Sequence, residues 1–160
     1  KQVFKGAYRC YVRIPGLLFN HGLSPHQGEK AVIQIDTMAQ EFAYVPDKIV
    51  LNKFDVFTRI NVTPLSILLS QKICAALERK TAKGRDFYDI IFLFSKTKPD
   101  YEYLGAKANI AAPEELKKQL IARCDSIDLQ VLTQDVRVFL VNQKDTKKIS
   151  LFKDYINQIL

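Results

Sequence analysis

The pattern of apolar and polar positions changes along the chain near residue 63. Before that point, apolar and polar residues alternate in Ala7 to Ile14 ("AYRCYVRI"), as is typical of half-buried strands. The apolar run from Ala31 to Asp36 predicts a second strand, and the run from Lys48 to Val62 predicts one or two more. Between them, His21 to Lys30 has the composition of a loop. The first 62 residues are therefore predicted to be mostly strands.

After residue 63, apolar residues recur at helical spacing. Thr63 and Pro64 predict the start of a helix, with Thr63 as the N-cap and Pro64 in the first turn. That helix is predicted to continue to about residue 80. Further helices are predicted over 85–95, 112–124, 126–140 and 150–160.

A strand-rich part followed by a helical part predicts an α+β fold. The 160 residues suit a single domain, mostly strands over 1–62 and mostly helices over 63–160. Because the chain begins with Lys1 and not with methionine, we interpret it as a fragment of a longer chain.

Composition and charge narrow the class of protein. No apolar run reaches the roughly 20 residues that a membrane-spanning helix needs, so no membrane partner is predicted. Three widely spaced cysteines, Cys10, Cys74 and Cys124, form no CxxC pair. They predict buried free thiols and a cytoplasmic protein. The 24 basic and 17 acidic residues give a net charge of +7, which favours polyanionic partners such as nucleotides or RNA.

The first predicted helix carries two cations within its apolar stripe. Lys72 lies seven residues after Leu65, and Arg79 lies seven residues after Lys72. Seven residues make two helical turns, so the two cations lie above one another on the side expected to face the protein body. Burying an unpaired cation is costly. Either the two side chains extend to the edge of the stripe, or they face a cleft that contains anions.

The second predicted helix, "GRDFYDIIFLF", places acidic residues near those cations. The short connection predicts a helical hairpin that gathers Arg79, Lys80, Lys83 and Arg85 at one end, beside Asp86. In a purely structural interpretation, Asp86 complements the helix dipole and Arg85 pairs with Asp89 four residues on. In a functional interpretation, a cationic pocket with a carboxylate at its floor suits a phosphate-bearing ligand.

The stretch "LLSQKICAALERKTAKGRDFYDI" resembles the late signature of the AbiEii/AbiGii-type nucleotidyltransferase toxins. In that signature a Lys-Ile/Leu helix is followed by an arginine and then by Arg-Asp-x-Tyr-Asp. The matching residues are Lys72, Ile73, Ala76, Arg79, Arg85, Asp86, Tyr88 and Asp89. The resemblance is specific over residues 65–94, and the order of elements extends it over most of the chain. It implies a polymerase-β-like fold, in which a strand-rich part of a nucleotidyltransferase-like sheet precedes a helical region.

The resemblance also implies an activity and a set of residue roles. Such enzymes transfer a nucleotide from an NTP to an acceptor, which in related toxins is tRNA, and they use Mg²⁺; an antitoxin protein is the expected partner. Lys72, as a phosphate ligand, and Asp86, as an acid/base or orienting carboxylate, would be the catalytic residues. Arg79, Arg85 and Lys83 would bind the nucleotide phosphates, and Asp36 would be a metal ligand.

Three departures from the family pattern bear on activity. The chain contains no Asp-x-Asp pair and no early Gly-Ser turn, and Gln71 replaces the usual glutamate before Lys72. Since two carboxylates normally hold the metal pair, Asp36 alone is insufficient, and the chain by itself is predicted to be catalytically incomplete. Two alternatives therefore stay open. One is a non-catalytic, RNA- or protein-binding remnant of the fold. The other is a structural domain in which Arg85, Asp86 and Asp89 fasten the helical hairpin.

Overall fold

The structure, a computed structural model, describes residues 2–4, 7–39 and 41–160, with the backbone alone described for residues 2–4, 7 and 38. The chain forms two compact units, Lys1–Ala43 and Tyr44–Leu160. The first is built mainly of strands, and the second is a strand hairpin followed by helices. The prediction of an α+β fold is confirmed, whereas the single-domain assignment stays a prediction.

The first unit is a three-stranded antiparallel sheet in the order β1-β2-β3. Its strands are β1 (Gln2–Phe4), β2 (Ala7–Pro15) and β3 (Lys30–Met38). The short helix α1 (Leu17–Asn20) follows Gly16, whose φ of 72° lies in the left-handed region that favours glycine. The predicted strands at residues 7–14 and 31–36 are therefore both present.

The second unit opens with an antiparallel hairpin of β4 (Asp47–Lys53) and β5 (Val56–Val62). The apolar run that predicted one or two strands thus forms two, joined by a tight turn at Phe54 and Asp55. Helices follow: α2 (Leu65–Glu78), α3 (Gly84–Phe94), α4 (Tyr101–Ala108), α5 (Pro113–Asp125), α6 (Leu129–Arg137), a 3₁₀ turn (Gln143–Thr146), α7 (Lys147–Ser150) and α8 (Phe152–Ile159).

The buried core of the second unit lies between these helices. Phe87 of α3 and Phe152 of α8 are both fully buried, and their rings meet edge to face with centroids 4.9 Å apart. Leu69 and Ile73 of α2 and Leu120 of α5 are also fully buried. α3 packs within this core through its buried residues, which include Asp86 as well as Phe87.

Several predicted helix boundaries and exposures are wrong. Thr63 does not cap α2, because Pro64 is the N-cap and the Thr63 hydroxyl instead forms a 3.0 Å hydrogen bond with that of Tyr44. The helix predicted from residue 126 begins only at Leu129, since the Asp128 carboxylate caps it. Cys10 is exposed, not buried as predicted, because it lies on a sheet face whose neighbouring residues are exposed as well.

The helix α4 was not predicted from the apolar pattern. It is eight residues long, and Asp100 caps it by accepting a 2.8 Å hydrogen bond from the Tyr103 amide. The backbone amide of Asp100 itself donates a 2.8 Å hydrogen bond to the buried hydroxyl of Ser70 in α2. This bond ties the start of α4 to α2. None of the helices in the described part of the chain has both the length and the apolar character needed to cross a membrane.

Candidate active site between two helices

Four signature residues meet where α2 packs against α3. Lys72 lies in α2, Arg79 follows its last turn, and Asp86 and Asp89 lie one turn apart in α3. The Lys72 ammonium is 2.7 Å from Asp89 Oδ2 and 3.6 Å from Asp86 Oδ1. Arg79 Nε is 3.1 Å from Asp86 Oδ2. We call these four residues the ion-pair cluster.

The cluster explains why α2 carries cations beside apolar positions. The most deeply buried side of α2 is formed by Leu69, Ile73 and Ala76, whereas Leu65, the reference residue of the predicted stripe, is 44% exposed. The buried side is thus rotated away from the predicted one. Lys72 and Arg79 lie at its edge, with side chains 29% and 43% exposed, and their charges are met by carboxylates of α3.

Asp86 is the most deeply buried charge of the cluster. Its side chain is only 1% exposed, and a buried carboxylate is stable only where opposite charge or hydrogen bonds replace water. Lys72 and Arg79 supply that charge. Within the described residues, neither Asp86 oxygen accepts a hydrogen bond, so both keep unused acceptor capacity beside two cations.

The position of Asp86 depends on close packing at the start of α3. The Gly84 amide donates a 2.9 Å hydrogen bond to Asp135 Oδ2 of α6. A Cβ on Gly84 would lie 2.2 Å from the Leu132 carbonyl oxygen, so only glycine allows α6 to approach this closely. The connection before α3 is thereby held against α6, two residues from the buried carboxylate.

The end of α2 is fixed by a residue that the signature does not contain. Arg123 of α5 donates from Nε to the Ala76 carbonyl oxygen at 3.0 Å and from Nη2 to the Arg79 carbonyl oxygen at 2.5 Å. These bonds satisfy carbonyls that a helix end leaves unpaired. Neither Arg123 nor Asp135 was predicted from the sequence, since each acts over more than 40 residues and neither lies in a recognisable motif.

The predicted phosphate-binding residues differ in position. Arg79 joins the cluster, as described above. Lys83 and Arg85 flank Gly84 at the start of α3, where Arg85 is exposed, and neither forms an ion pair with any described residue. The predicted pair between Arg85 and Asp89 is wrong, because the Asp89 carboxylate is taken by Lys72.

Asp36, the predicted metal ligand, lies in β3 of the first unit. In the register of the sheet it is opposite Arg9, whose Nε is 2.7 Å from Asp36 Oδ1. The side-chain amide of Gln34 donates a further 2.7 Å hydrogen bond to Asp36 Oδ2. The hydrogen bond from Arg9 lowers the pKa of Asp36 below its ordinary value. The carboxylate is charged, but a cation of the protein already accompanies it.

The described residues do not fit a magnesium site. Among them, no three histidine, cysteine, aspartate or glutamate side chains come together in a group that could hold a metal ion. The two carboxylates of the ion-pair cluster are matched by two cations, and that balance is the opposite of what a divalent ion requires.

Two other signature positions are used for packing. Tyr88 points to a different side of α3 from Asp86, and its hydroxyl hydrogen-bonds Asp145 Oδ2 at 3.3 Å, while Lys148 lies over its ring at 5.1 Å from the centroid. Gln71, which replaces the usual glutamate, hydrogen-bonds the Tyr103 side chain. Both residues therefore connect the signature helices to the helices around them.

Fold and cluster together define the class of protein. An α+β chain whose helical part pairs Lys72 and Arg79 with the acidic residues of Arg-Asp-x-Tyr-Asp has the arrangement that the sequence led us to expect of a nucleotidyltransferase toxin. Residues 5–155 match the family profile described as nucleotidyl transferase AbiEii toxin, type IV TA (toxin–antitoxin) system. The chain belongs to this family, and the resemblance seen in the sequence is confirmed. Neither curated proteins nor solved structures gave a match.

Proposed function

We propose that this protein takes part in transferring a nucleotide from an NTP to an RNA acceptor, with tRNA as the narrower hypothesis for that acceptor. The ion-pair cluster is the observation that carries the proposal. It combines a buried carboxylate, Asp86, with two partly exposed cations, Lys72 and Arg79, in the only segment whose resemblance to the family is residue-specific.

In the proposed reaction, an acceptor hydroxyl attacks the α-phosphorus of the NTP. A new phosphorus–oxygen bond forms, the bond between the α-phosphorus and the α,β-bridging oxygen breaks, pyrophosphate leaves with that electron pair, and the proton of the acceptor hydroxyl passes to solvent. Charge accumulates on the phosphate oxygens, and fixed cations stabilise it. Lys72 suits this role because its side chain is 29% exposed and its ammonium is held at a defined position by two carboxylates.

We assign Asp86 an orienting role in preference to an acid/base role. At 1% exposure, its carboxylate is placed to hold Lys72 and Arg79 and not to meet a diffusing hydroxyl. Arg79, Lys83 and Arg85 stand at the same end of the helical hairpin, and guanidinium and ammonium groups there suit the β- and γ-phosphates.

Magnesium stays a prediction of the resemblance, because the described residues do not assemble a site for it. The family implies an antitoxin partner. A cytoplasmic location is supported by the three free cysteines. The alternative of a non-catalytic, RNA-binding remnant is favoured by one specific observation, which is that the chain has no Asp-x-Asp pair.

The experiment is a transfer assay on the protein as its native reading frame encodes it. It is incubated with Mg²⁺, total tRNA and each α-labelled NTP in turn, and label in RNA is followed over time. Lys72→Ala should lower the transfer rate by about 100-fold or more, as when one fixed group that stabilises transition-state charge is removed. Lys118→Ala, which removes the same charge from an exposed position of α5, is the matched control and should transfer normally.

The two interpretations give different outcomes. Transfer that is lost in Lys72→Ala and kept in Lys118→Ala, with both variants folded by circular dichroism, supports the transferase. Undiminished transfer by folded Lys72→Ala would refute the assigned role of this residue. RNA retention without transfer by any form would establish the non-catalytic remnant.

A further inference from the structure

The hairpin of β4 and β5 has two chemically different faces. Side chains of residues that pair across an antiparallel ladder lie on the same face, so the pairs Lys48–Asn61, Val50–Arg59 and Asn52–Phe57 share one face. All six of these residues are exposed. We call them the basic ribbon face.

The opposite face of the hairpin is more apolar and more covered. Ile49 and Ile60 are paired there, as are Leu51 and Thr58. The three hairpin residues that are partly buried, Leu51, Ile60 and Val62, all lie on this face. The partly buried positions of the hairpin therefore all lie on one face, and the basic ribbon face is exposed to solvent.

We propose that the basic ribbon face binds single-stranded RNA and so holds the acceptor of the proposed transfer. The proposal rests on the proposed function, and it adds how the acceptor is held. Phe57 is 77% exposed, and an exposed aromatic ring on a strand is the platform on which unpaired bases stack. The backbone phosphates can be met by two cations of the same face, Lys48 and Arg59, the second of which is directly across from Val50.

The composition of the face favours RNA over a protein surface. Its six positions carry two cations and two side-chain amides, Asn52 and Asn61, but no carboxylate. Neither Lys48 nor Arg59 forms an ion pair within the part of the chain that the structure describes, so both charges are available to a polyanion. Only Val50 and Phe57 are apolar, which is too little apolar area for the desolvated centre of a stable protein interface.

The hairpin is also next to the candidate active site along the chain. β5 ends at Val62 and α2, which carries Lys72, begins at Leu65. Only Thr63 and Pro64 separate them, and the hydrogen bond between Thr63 and Tyr44 fastens this connection. The strand β5 is thus followed directly by the helix that carries Lys72.

The test measures affinity for a fluorescein-labelled, unstructured 12-nucleotide RNA by fluorescence anisotropy, with no NTP present. Phe57→Ala should weaken binding by about fivefold or more, the lower bound for loss of one base–aromatic stack. Arg59→Gln should weaken binding and should reduce the slope of log K against log salt by about 0.7, the value for one phosphate contact on a single strand.

Matched controls keep the total charge and aromatic content comparable. Lys53→Gln removes an exposed cation from the opposite face of the same hairpin, where Lys53 pairs with Val56. Phe92→Ala removes a half-exposed phenylalanine from α3. Both controls should bind RNA as the unmodified protein does, and circular dichroism establishes that all four variants are folded.

Each outcome decides for or against the face. Selective weakening by Phe57→Ala and Arg59→Gln supports it. Equal weakening by Lys53→Gln would reduce the effect to net charge and overturn the proposal. Tighter binding of a DNA strand of the same sequence than of the RNA would also overturn the proposal. So would a Phe57→Ala variant that keeps its affinity for RNA but loses self-association, because the face would then bind a second copy of the protein. Because the assay contains no NTP, failure here leaves the transfer assay unaffected, and failure of transfer leaves this binding measurable.

Discussion

The two sides of α3 make a useful comparison, because both carry signature residues and both join α3 to another helix through charge. On one side Asp86 faces Lys72 and Arg79 of the α2 region. On the other side Tyr88 contacts Asp145 and Lys148 of the C-terminal segment. The two arrangements differ in burial. Asp86 is 1% exposed, whereas Asp145 and Lys148 are 32% and 42% exposed.

This difference in burial divides the residues of a single signature motif into two groups, those on the α2 side of α3 and those on the tail side. A buried carboxylate that loses its cations is left as an uncompensated charge, which is strongly destabilising. An exposed ion pair gives little stability, because water and salt replace either partner. We therefore expect changes on the α2 side of α3 to affect both folding and chemistry, and changes on the tail side to affect neither strongly.

The largest expected effect comes from removing both cations of the cluster. The double variant Lys72→Ala/Arg79→Ala should lower the free energy of unfolding by about 3–5 kcal/mol, because Asp86 then stays buried with no opposite charge. Urea denaturation followed by circular dichroism measures the change. Adding Asp86→Leu to the double variant should restore most of the loss, since the buried charge is then gone.

Thiol labelling gives a local check on the same variant. Burial raises the pKa of the Cys74 thiol in α2 to about 11, so at pH 8 this thiol should be unreactive in the native protein, while the exposed Cys10 reacts. In the double variant, Cys74 should become reactive as the packing around α2 loosens. If the double variant keeps both full stability and a protected Cys74, the cluster is not what holds the two helices together.

A smaller effect is expected from Gly84→Ala at the start of α3. The new Cβ would lie 2.2 Å from the Leu132 carbonyl oxygen, and because that atom is backbone, α3 must shift to relieve the clash. Overpacking of this kind costs about 1–3 kcal/mol, and the melting temperature and urea midpoint should fall accordingly. Gly28→Ala is the matched control, because nothing lies within 4 Å of its Cβ position. Equal stability of the two variants would refute the close approach of α6.

The sequence was sufficient for the parts of the fold that depend on local periodicity. Alternation located β2, the apolar run from Ala31 to Asp36 located β3, and helical spacing located α2 and α3 to within about two residues at each end. The predicted hairpin placed Arg79 beside Asp86, and in the structure Arg79 Nε is 3.1 Å from Asp86 Oδ2. Their spacing within two helices joined by a short connection leaves few ways for them to pack.

What the sequence did not show depends on partners distant in the chain. The rotation of α2 is set by what packs on it, so a helical wheel placed Leu65 inward although it is 44% exposed. Asp89 pairs with Lys72 in preference to Arg85, which is only four residues away along the chain. Arg123 reaches α2 from α5, and Asp135 reaches Gly84 from α6. None of these contacts has a short-range pattern, so no spacing rule could identify them.

The smallest effect is expected on the tail side of α3, and it sharpens the comparison through its pH dependence. Burial by itself lowers the pKa of Lys148, but the hydrogen bond with Asp145 and the nearby negative charge raise it overall above 10.5. A raised folded-state pKa means that the stabilisation is fully present below the unfolded value and is lost as pH rises through the folded one. Asp145→Asn should therefore cost at most about 1 kcal/mol at pH 7, and less in high salt.

The measurement is the difference in melting temperature between the unmodified protein and Asp145→Asn, taken at pH 7 and again at the most alkaline pH at which both are folded. We expect a small difference at pH 7 that shrinks as pH rises, because deprotonated Lys148 no longer attracts Asp145. Asp55→Asn, which makes the same change of charge at an exposed position in the turn between β4 and β5, controls for the change in net charge. A difference in melting temperature equivalent to several kcal/mol of unfolding free energy would mean that the tail side is as strongly coupled as the buried cluster. The contrast between the two sides of α3 would then be wrong.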